Sequence, residues 1–334
     1  MYYALLFVAA VLFSGQFLFT KTFQKYNGDS LKTTLKLTFF AYITIALFFF
    51  IKAQIGADGL RFGFSWFTLA MTLGIAVIST SCVYLGVKVL GIGNTSVYST
   101  FMMVGSMALP SLVGILAYGE TEKLALKLIA IALMLAATVF TTGDNNTKSN
   151  RKAIFYYIGV FILNGLIGVL FTVHQNQPLW SAYYELVDGT AVSNSDVFMS
   201  WYGISTAILS GALLLVFKAL EKKTGGKPTF EETENLPQKE QRVGAGMRGF
   251  FLPSLLVAIG YGIFNGMGNY FIAISTIKVG ASVTFPIVNG GTILTSTVML
   301  VEQTRIVSSQ SIPTHTLPTF SKSPFLCIIT SRIT

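Results

Sequence analysis

The chain has 334 residues, 52% of them hydrophobic and only 11% charged, with a net charge of +9. Soluble domains carry about a quarter charged residues, so most soluble folds are excluded. Cys82, Cys327, His174 and His315 show no metal-ligand spacing, which argues against a metal site or a disulfide framework, and no cofactor motif is visible.

A helix that crosses a hydrocarbon core about 30 Å thick needs roughly 20 mostly apolar residues. By that measure nine spans are expected, at 2–20, 33–51, 66–88, 94–118, 124–142, 153–173, 197–217, 249–276 and 280–301. The first, "MYYALLFVAAVLFSGQFLFTK", has no basic residue ahead of its apolar run and no small-residue cleavage site. It reads as a retained span rather than a removable signal. Span interiors hold almost no Asp, Glu, Lys or Arg, which are costly at mid-membrane. Strand-type alternation is absent, so helices and not a barrel are expected.

Most connections are short. Residues 174–196 carry Glu185, Asp188 and Asp196 but no Lys or Arg, and 218–248 form a mixed-charge linker containing Gly and Pro. Loops after spans one, three, five and seven hold 15 Lys/Arg, from Lys21 to Arg248; the opposite loops hold five, Lys52, Arg61, Lys123, Lys127 and Lys278. Basic loops at a lipid surface explain these charges better than a nucleic-acid partner does. The positive-inside bias puts the first set in the cytoplasm and the N-terminus outside.

"GNTSVYSTFMMVGSM" (93–107) is echoed by "GASVTFPIVNGGTI" (280–293). At one offset Ser96-Val97 meets Ser282-Val283, Gly105 meets Gly291 and Tyr84 meets Tyr270; more weakly, "LFSGQFLFTK" in span one pairs with "LNGLIGVLFT" in span six. The two copies start five spans apart. An odd number of spans inverts the second copy, the arrangement by which many transporters build one midplane site.

The polar-punctuated first span ending at Lys21, the turn "VLGIGNTSVYST" and "LAYGETEKLALKLIAIALMLAATVF" with its Gly119-Glu120 resemble the EamA-type unit of the drug/metabolite transporter superfamily. The resemblance covers about residues 1–301. It implies a ten-helix secondary transporter of small organic metabolites in a bacterial plasma membrane, with a cavity lined by spans one, three, four, six, eight and nine. It also implies both termini in the cytoplasm, against the charge count.

The fold class expected is an all-α integral membrane protein, an inverted 5+5 helix repeat lacking its tenth helix. Its units are 1–142, 153–301 and a polar tail, 302–334. By the repeat offset a second Gly-Glu and a tenth apolar run should follow near 304–306. Ser, Thr, Pro and charge stand there instead, so a frameshifted or erroneous end is the favoured reading and a natural tail the alternative.

No catalytic constellation is visible, and an enzyme is not expected. The candidate groups are neutral polar and aromatic residues inside spans, which must find partners in lipid. Substrate-cavity candidates are Gln16, Ser81, Tyr84, Tyr98, Asn164, Asn265, Asn269, Tyr270, Thr284 and Asn289, with Ser14, Ser106 and Thr292 beside them. The competing reading for each is helix-to-helix glue; for Tyr84 and Tyr270 the cavity is favoured. Pro110 and Pro286 are hinge candidates, and tolerated membrane prolines are the equal alternative. Glu120 is read as a helix-dipole charge ahead of a proton-coupling carboxylate, and His174 as an interfacial polar residue ahead of a pH sensor.

An uncharged set suits amino-acid-like, sugar-like or amphipathic solutes. The leading function is alternating-access transport of a small-molecule substrate across the lipid bilayer, with a coupling proton and a homodimer left open as partners. A cation conduit is the runner-up, and a membrane-embedded enzyme on lipid-linked substrates ranks third.

Overall fold

Long apolar runs in lipid leave the backbone one local way to satisfy its polar groups, the helical ladder. The computed structural model describes residues 1–28, 30–55, 65–92, 95–122, 124–125, 127–129, 131–133, 136, 151–176, 194–223 and 251–309. These residues form eight long helices and no strand. They are α1 (Tyr2–Asn27), α2 (Leu31–Gln54), α3 (Trp66–Ile92), α4 (Thr95–Tyr118), α5 (Arg151–Gln175), α6 (Asn194–Lys223), α7 (Phe251–Val279) and α8 (Ala281–Ser309). Seven of them, α1 to α7, are long and apolar enough to cross a membrane. The described residues are therefore helical throughout their long elements, and the chain is a multi-pass membrane protein.

Among the described residues seven such helices stand where nine spans are expected. The run at 280–301 also forms a helix, α8. It also continues to Ser309, beyond the Val301 boundary expected from sequence. Of the run at 124–142, the described positions from Leu124 to Ala136 are helical. Leu124 and Ile131 join a cluster with Ala108, Leu112 and Ile115 of α4. The rest of that run, most of the 218–248 linker and residues 310–334 lie outside the described residues.

Local signals set several ends. The Ser30 hydroxyl accepts from Thr33 N at 3.1 Å and caps α2. A single residue, Gly280 at φ 89°, separates α7 from α8, a backbone setting that glycine adopts without penalty.

The eight helices pack as a closed ring in the order α1–α7–α2–α6–α3–α5–α4–α8 and back to α1. Their directions follow from side-chain levels. Ala10 and Ser14 of α1 meet Thr292 and Thr295 of α8, so these two run parallel. Phe13 and Phe19 of α1 meet Gly268 and Gly260 of α7, so these run antiparallel. The same test makes α2–α7, α3–α6 and α4–α5 parallel, and α2–α6, α3–α5 and α4–α8 antiparallel. Parallel and antiparallel contacts thus alternate around the ring. Because α4 and α5 run parallel, the chain between them returns from one end of the bundle to the other.

Small residues let backbones close at these contacts. A Cβ on Gly203 of α6 would lie 2.5 Å from Ala46 N of α2, and one on Gly262 of α7 would lie 2.5 Å from Ala41 O of α2.

One end of the bundle, the less basic face, gathers the starts of α1, α3, α6 and α8 and the ends of α2, α4, α5 and α7. The largest apolar cluster lies toward it. Leu6, Phe49, Ile75, Phe171, Phe198, Ile272 and Phe285 bring seven helices together there. Toward the other, basic face two separate clusters form. Phe23, Leu37 and Ala258 join α1, α2 and α7, while Val89, Val97, Ala153 and Tyr157 join α3, α4 and α5.

Candidate functional site

At mid-height the bundle holds a chain of uncharged polar groups. The Tyr42 and Tyr202 hydroxyls are 2.6 Å apart across the α2–α6 contact. Asn265 Nδ2 of α7 donates to Tyr42 Oη at 3.4 Å, and Asn269 Nδ2 donates to Asn265 O and Oδ1, both at 2.9 Å. Residues four apart share a helix face, which is why the two asparagines act together. Tyr42, Tyr202 and Asn265 are all buried. Tyr261 packs against the same group.

Four further buried atoms find no protein partner among the described residues: Gln16 Oε1 on α1, Thr206 Oγ1 on α6, Ser275 Oγ on α7 and Thr284 Oγ1 on α8. Buried polar atoms are nearly always hydrogen-bonded, so each is a place for water or a polar solute. Gln16 sits on the same stretch of α1 as Phe13 and Phe19, which meet α7 around Phe264 and Gly268, near the asparagine pair.

Toward the less basic face the groups become charged. Lys52, at the end of α2, donates to both Asp196 oxygens at 2.7 and 2.9 Å and to Tyr270 Oη at 3.0 Å. Its ammonium also stands 4.4 Å from the Tyr270 ring centroid. Beside this pair His174 is fully buried, stacked on Phe198 at 4.1 Å, with Nε2 3.2 Å from Thr68 Oγ1 and Nδ1 3.1 Å from Gln175 Nε2. Ser195 Oγ donates to Gln175 Oε1 at 3.3 Å. His174 stands at the span end where an interfacial residue is expected, with its ring buried in a hydrogen-bonded network.

Glu120 departs from expectation. Its carboxylate receives Ala281 N and Ser282 N, each at 2.8 Å, and the Ser282 hydroxyl. It caps α8, a helix far away in sequence, rather than the helix it introduces. The Lys127 ammonium donates to the Glu120 carbonyl at 2.8 Å.

The remaining candidates are dispersed. Tyr270 lies against Lys52 and Phe49, whereas Tyr84 is 38% exposed on α3. Ser81 Oγ donates to Val77 O of its own helix at 2.8 Å, and Ser106 Oγ to Met103 O at 2.8 Å. Tyr98 packs on the Val89–Val97 cluster with its hydroxyl over Gly86. Asn164 Nδ2 donates to Met102 O at 2.7 Å, tying α5 to α4, and Asn289 Nδ2 to Phe285 O at 3.1 Å within α8. Ser14 bonds across to Thr292 and Thr295, tying α1 to α8. Pro110 and Pro286 both lie inside helices that continue past them.

Sequence reasoning missed Tyr42, Tyr202 and the Lys52–Asp196 pair. Spans two and seven lie outside the cavity that the family resemblance implies, and Asp196 was counted in a loop although α6 begins at Asn194. Tyr42 and Tyr202, polar and mid-span, carried the same signal as the asparagines.

No model of a known protein family matches the chain, and no curated protein matches it.

Proposed function

We propose that this protein is a secondary transporter of small, uncharged or zwitterionic organic solutes, working by alternating access between two inverted halves. The observation that carries the reading is the ring. Exchanging α1 with α5, α2 with α6, α3 with α7 and α4 with α8 maps six ring contacts onto one another in pairs and leaves α2–α6 and α4–α8 on themselves. Every exchanged pair also runs in opposite directions. That is the relation of an inverted repeat about an axis in the membrane plane, where transporters place their substrate.

The exchange supports the repeat read from Ser96-Val97 and Ser282-Val283. The return of the chain between α4 and α5 supports a crossing near 124–142, and with it the EamA-type architecture. The site proposed is the mid-height belt of Gln16, Tyr42, Tyr202, Asn265 and Asn269. Its chemistry is hydrogen bonding without net charge, which favours amino-acid-like, sugar-like or amphipathic solutes over free ions.

Solute counterflow in proteoliposomes tests the reading, using neutral amino acids, sugars and amphipathic metabolites. Saturable flux is expected for at least one class. Asn265→Leu and Gln16→Leu should each lower it about tenfold, the equivalent of ~1.4 kcal/mol in solute recognition. Phe48→Ala, on the outer surface, should leave it unchanged. Linear, non-saturating flux of inorganic cations would replace this reading with that of a conduit.

A further inference from the structure

We infer that this structure is the state sealed at the less basic face, and that Glu120 is the latch that holds the seal. The inference rests on the alternating-access reading and adds to it a direction and a residue.

Three independent features point the same way. The first is apolar packing. The cluster built on Phe49, Phe171, Phe198 and Phe285 draws seven helices together near the less basic face, whereas toward the basic face the described residues form two clusters with no shared helix. The second is the fate of repeat-mates. Tyr270, near the less basic end of α7, is packed on Phe49 and held by Lys52; its mate Tyr84, near the basic end of α3, is exposed. Residues equivalent by inversion should have equal surroundings if both faces were equally closed. Their difference marks which face is shut.

The third is the nature of the contacts that cross between halves. The α2–α6 contact is pinned along its whole length, by Lys32–Glu221 at 2.7 Å near the basic face, by Tyr42–Tyr202 in the middle and by Lys52–Asp196 near the other. Such a contact suits a pivot, fixed in either state. The α4–α8 contact lies on the opposite side of the ring. Among the described residues its polar anchor is the Glu120 carboxylate on the first amides of α8. A carboxylate on free helix-terminal N–H groups is a charge-assisted bond that also meets the positive end of the helix dipole. Gly114 and Gly280 make room for it, since a Cβ at either would lie within 3 Å of the Glu120 carboxylate. Breaking that contact removes the charge-assisted bond that the described residues place on the side of the ring opposite the pivot.

The test reads accessibility rather than transport. Cys82 and Cys327 are replaced by Ser, and Val288, fully buried in the sealing cluster, becomes the reporter as Val288→Cys. A membrane-impermeant maleimide is applied from the less basic face of oriented vesicles. With Glu120 intact, labelling should be slow; adding Glu120→Gln should raise the rate about tenfold or more, while Glu221→Gln at the pivot should not. A parallel Glu120→Cys/Ser282→Cys pair, bridged by a short bis-methanethiosulfonate that forms a disulfide with each cysteine and expels two sulfinates, should keep a Val288→Ala chain inactive in counterflow and release it on reduction with dithiothreitol. Rapid labelling with Glu120 intact, or equal rates with and without Glu120, would overturn the inference. Loss of flux with normal labelling behaviour would instead count against the transport reading.

Discussion

The residue with the most at stake is Asp196. It is only 5% exposed and its carboxylate is neutralised by a lysine that remains half-buried. Removing one member of such a pair strands the other's charge, which costs more than removing both. Lys52→Met should therefore lower thermal stability by about 2 kcal/mol, discounted from the fully buried case because Lys52 reaches solvent. The Lys52→Met/Asp196→Leu double variant should recover at least half of that, as read by thermal unfolding in detergent. Equal losses in the single and double variants would mean that the pair does not couple. Tyr84 and Tyr270 make the complementary case. Tyr270→Ala should reduce both stability and flux, whereas Tyr84→Ala should behave like Phe48→Ala, since Tyr84 and Phe48 are similarly exposed. The sequence made the two tyrosines look equivalent because an offset carries no information about which face is shut.

Between elements, close approach of backbones sets the packing. Gly203 faces the α2 backbone at Ala46, so Gly203→Val drives two methyl groups into main-chain atoms that cannot rotate aside. A cost of about 1–3 kcal/mol is expected from overpacking. Gly290, which has open space around it, should accept Ala at no measurable cost; a thermal-shift comparison of the two variants checks both. Helix positions were legible because hydrophobic run length depends only on composition within a window. Which helix meets which was not, because α2 meets α6 through Gly203 and Ala46, residues with no complementary pattern in sequence. The polar site was half legible. Asn265 and Asn269 stood out by their four-residue spacing, but their partners Tyr42 and Tyr202 lie in spans whose overall pattern is plainly apolar. The target of Glu120 was hidden too, since a cap given to a helix 161 residues away leaves no local trace.

At the scale of the whole molecule, no ring contact lies within α1–α4 or within α5–α8; each one joins a helix of the first half to a helix of the second. The two halves of the chain are therefore not separate bodies that dock. They are interleaved, and each supplies the walls of the other's interior. Biogenesis inherits this constraint. Helices α1 to α4 emerge and insert before any of their ring neighbours has been synthesised, so most of their small-residue faces wait uncovered in lipid. During that interval the nascent first half is exposed to quality-control proteases and to pairing with the wrong chain. Residues 1–150 produced alone should be degraded within minutes of insertion. The same segment co-produced with residues 151–334 should accumulate as a complex, which pulse-chase and co-purification would reveal. Stable accumulation of either half by itself would show that it holds a core of its own.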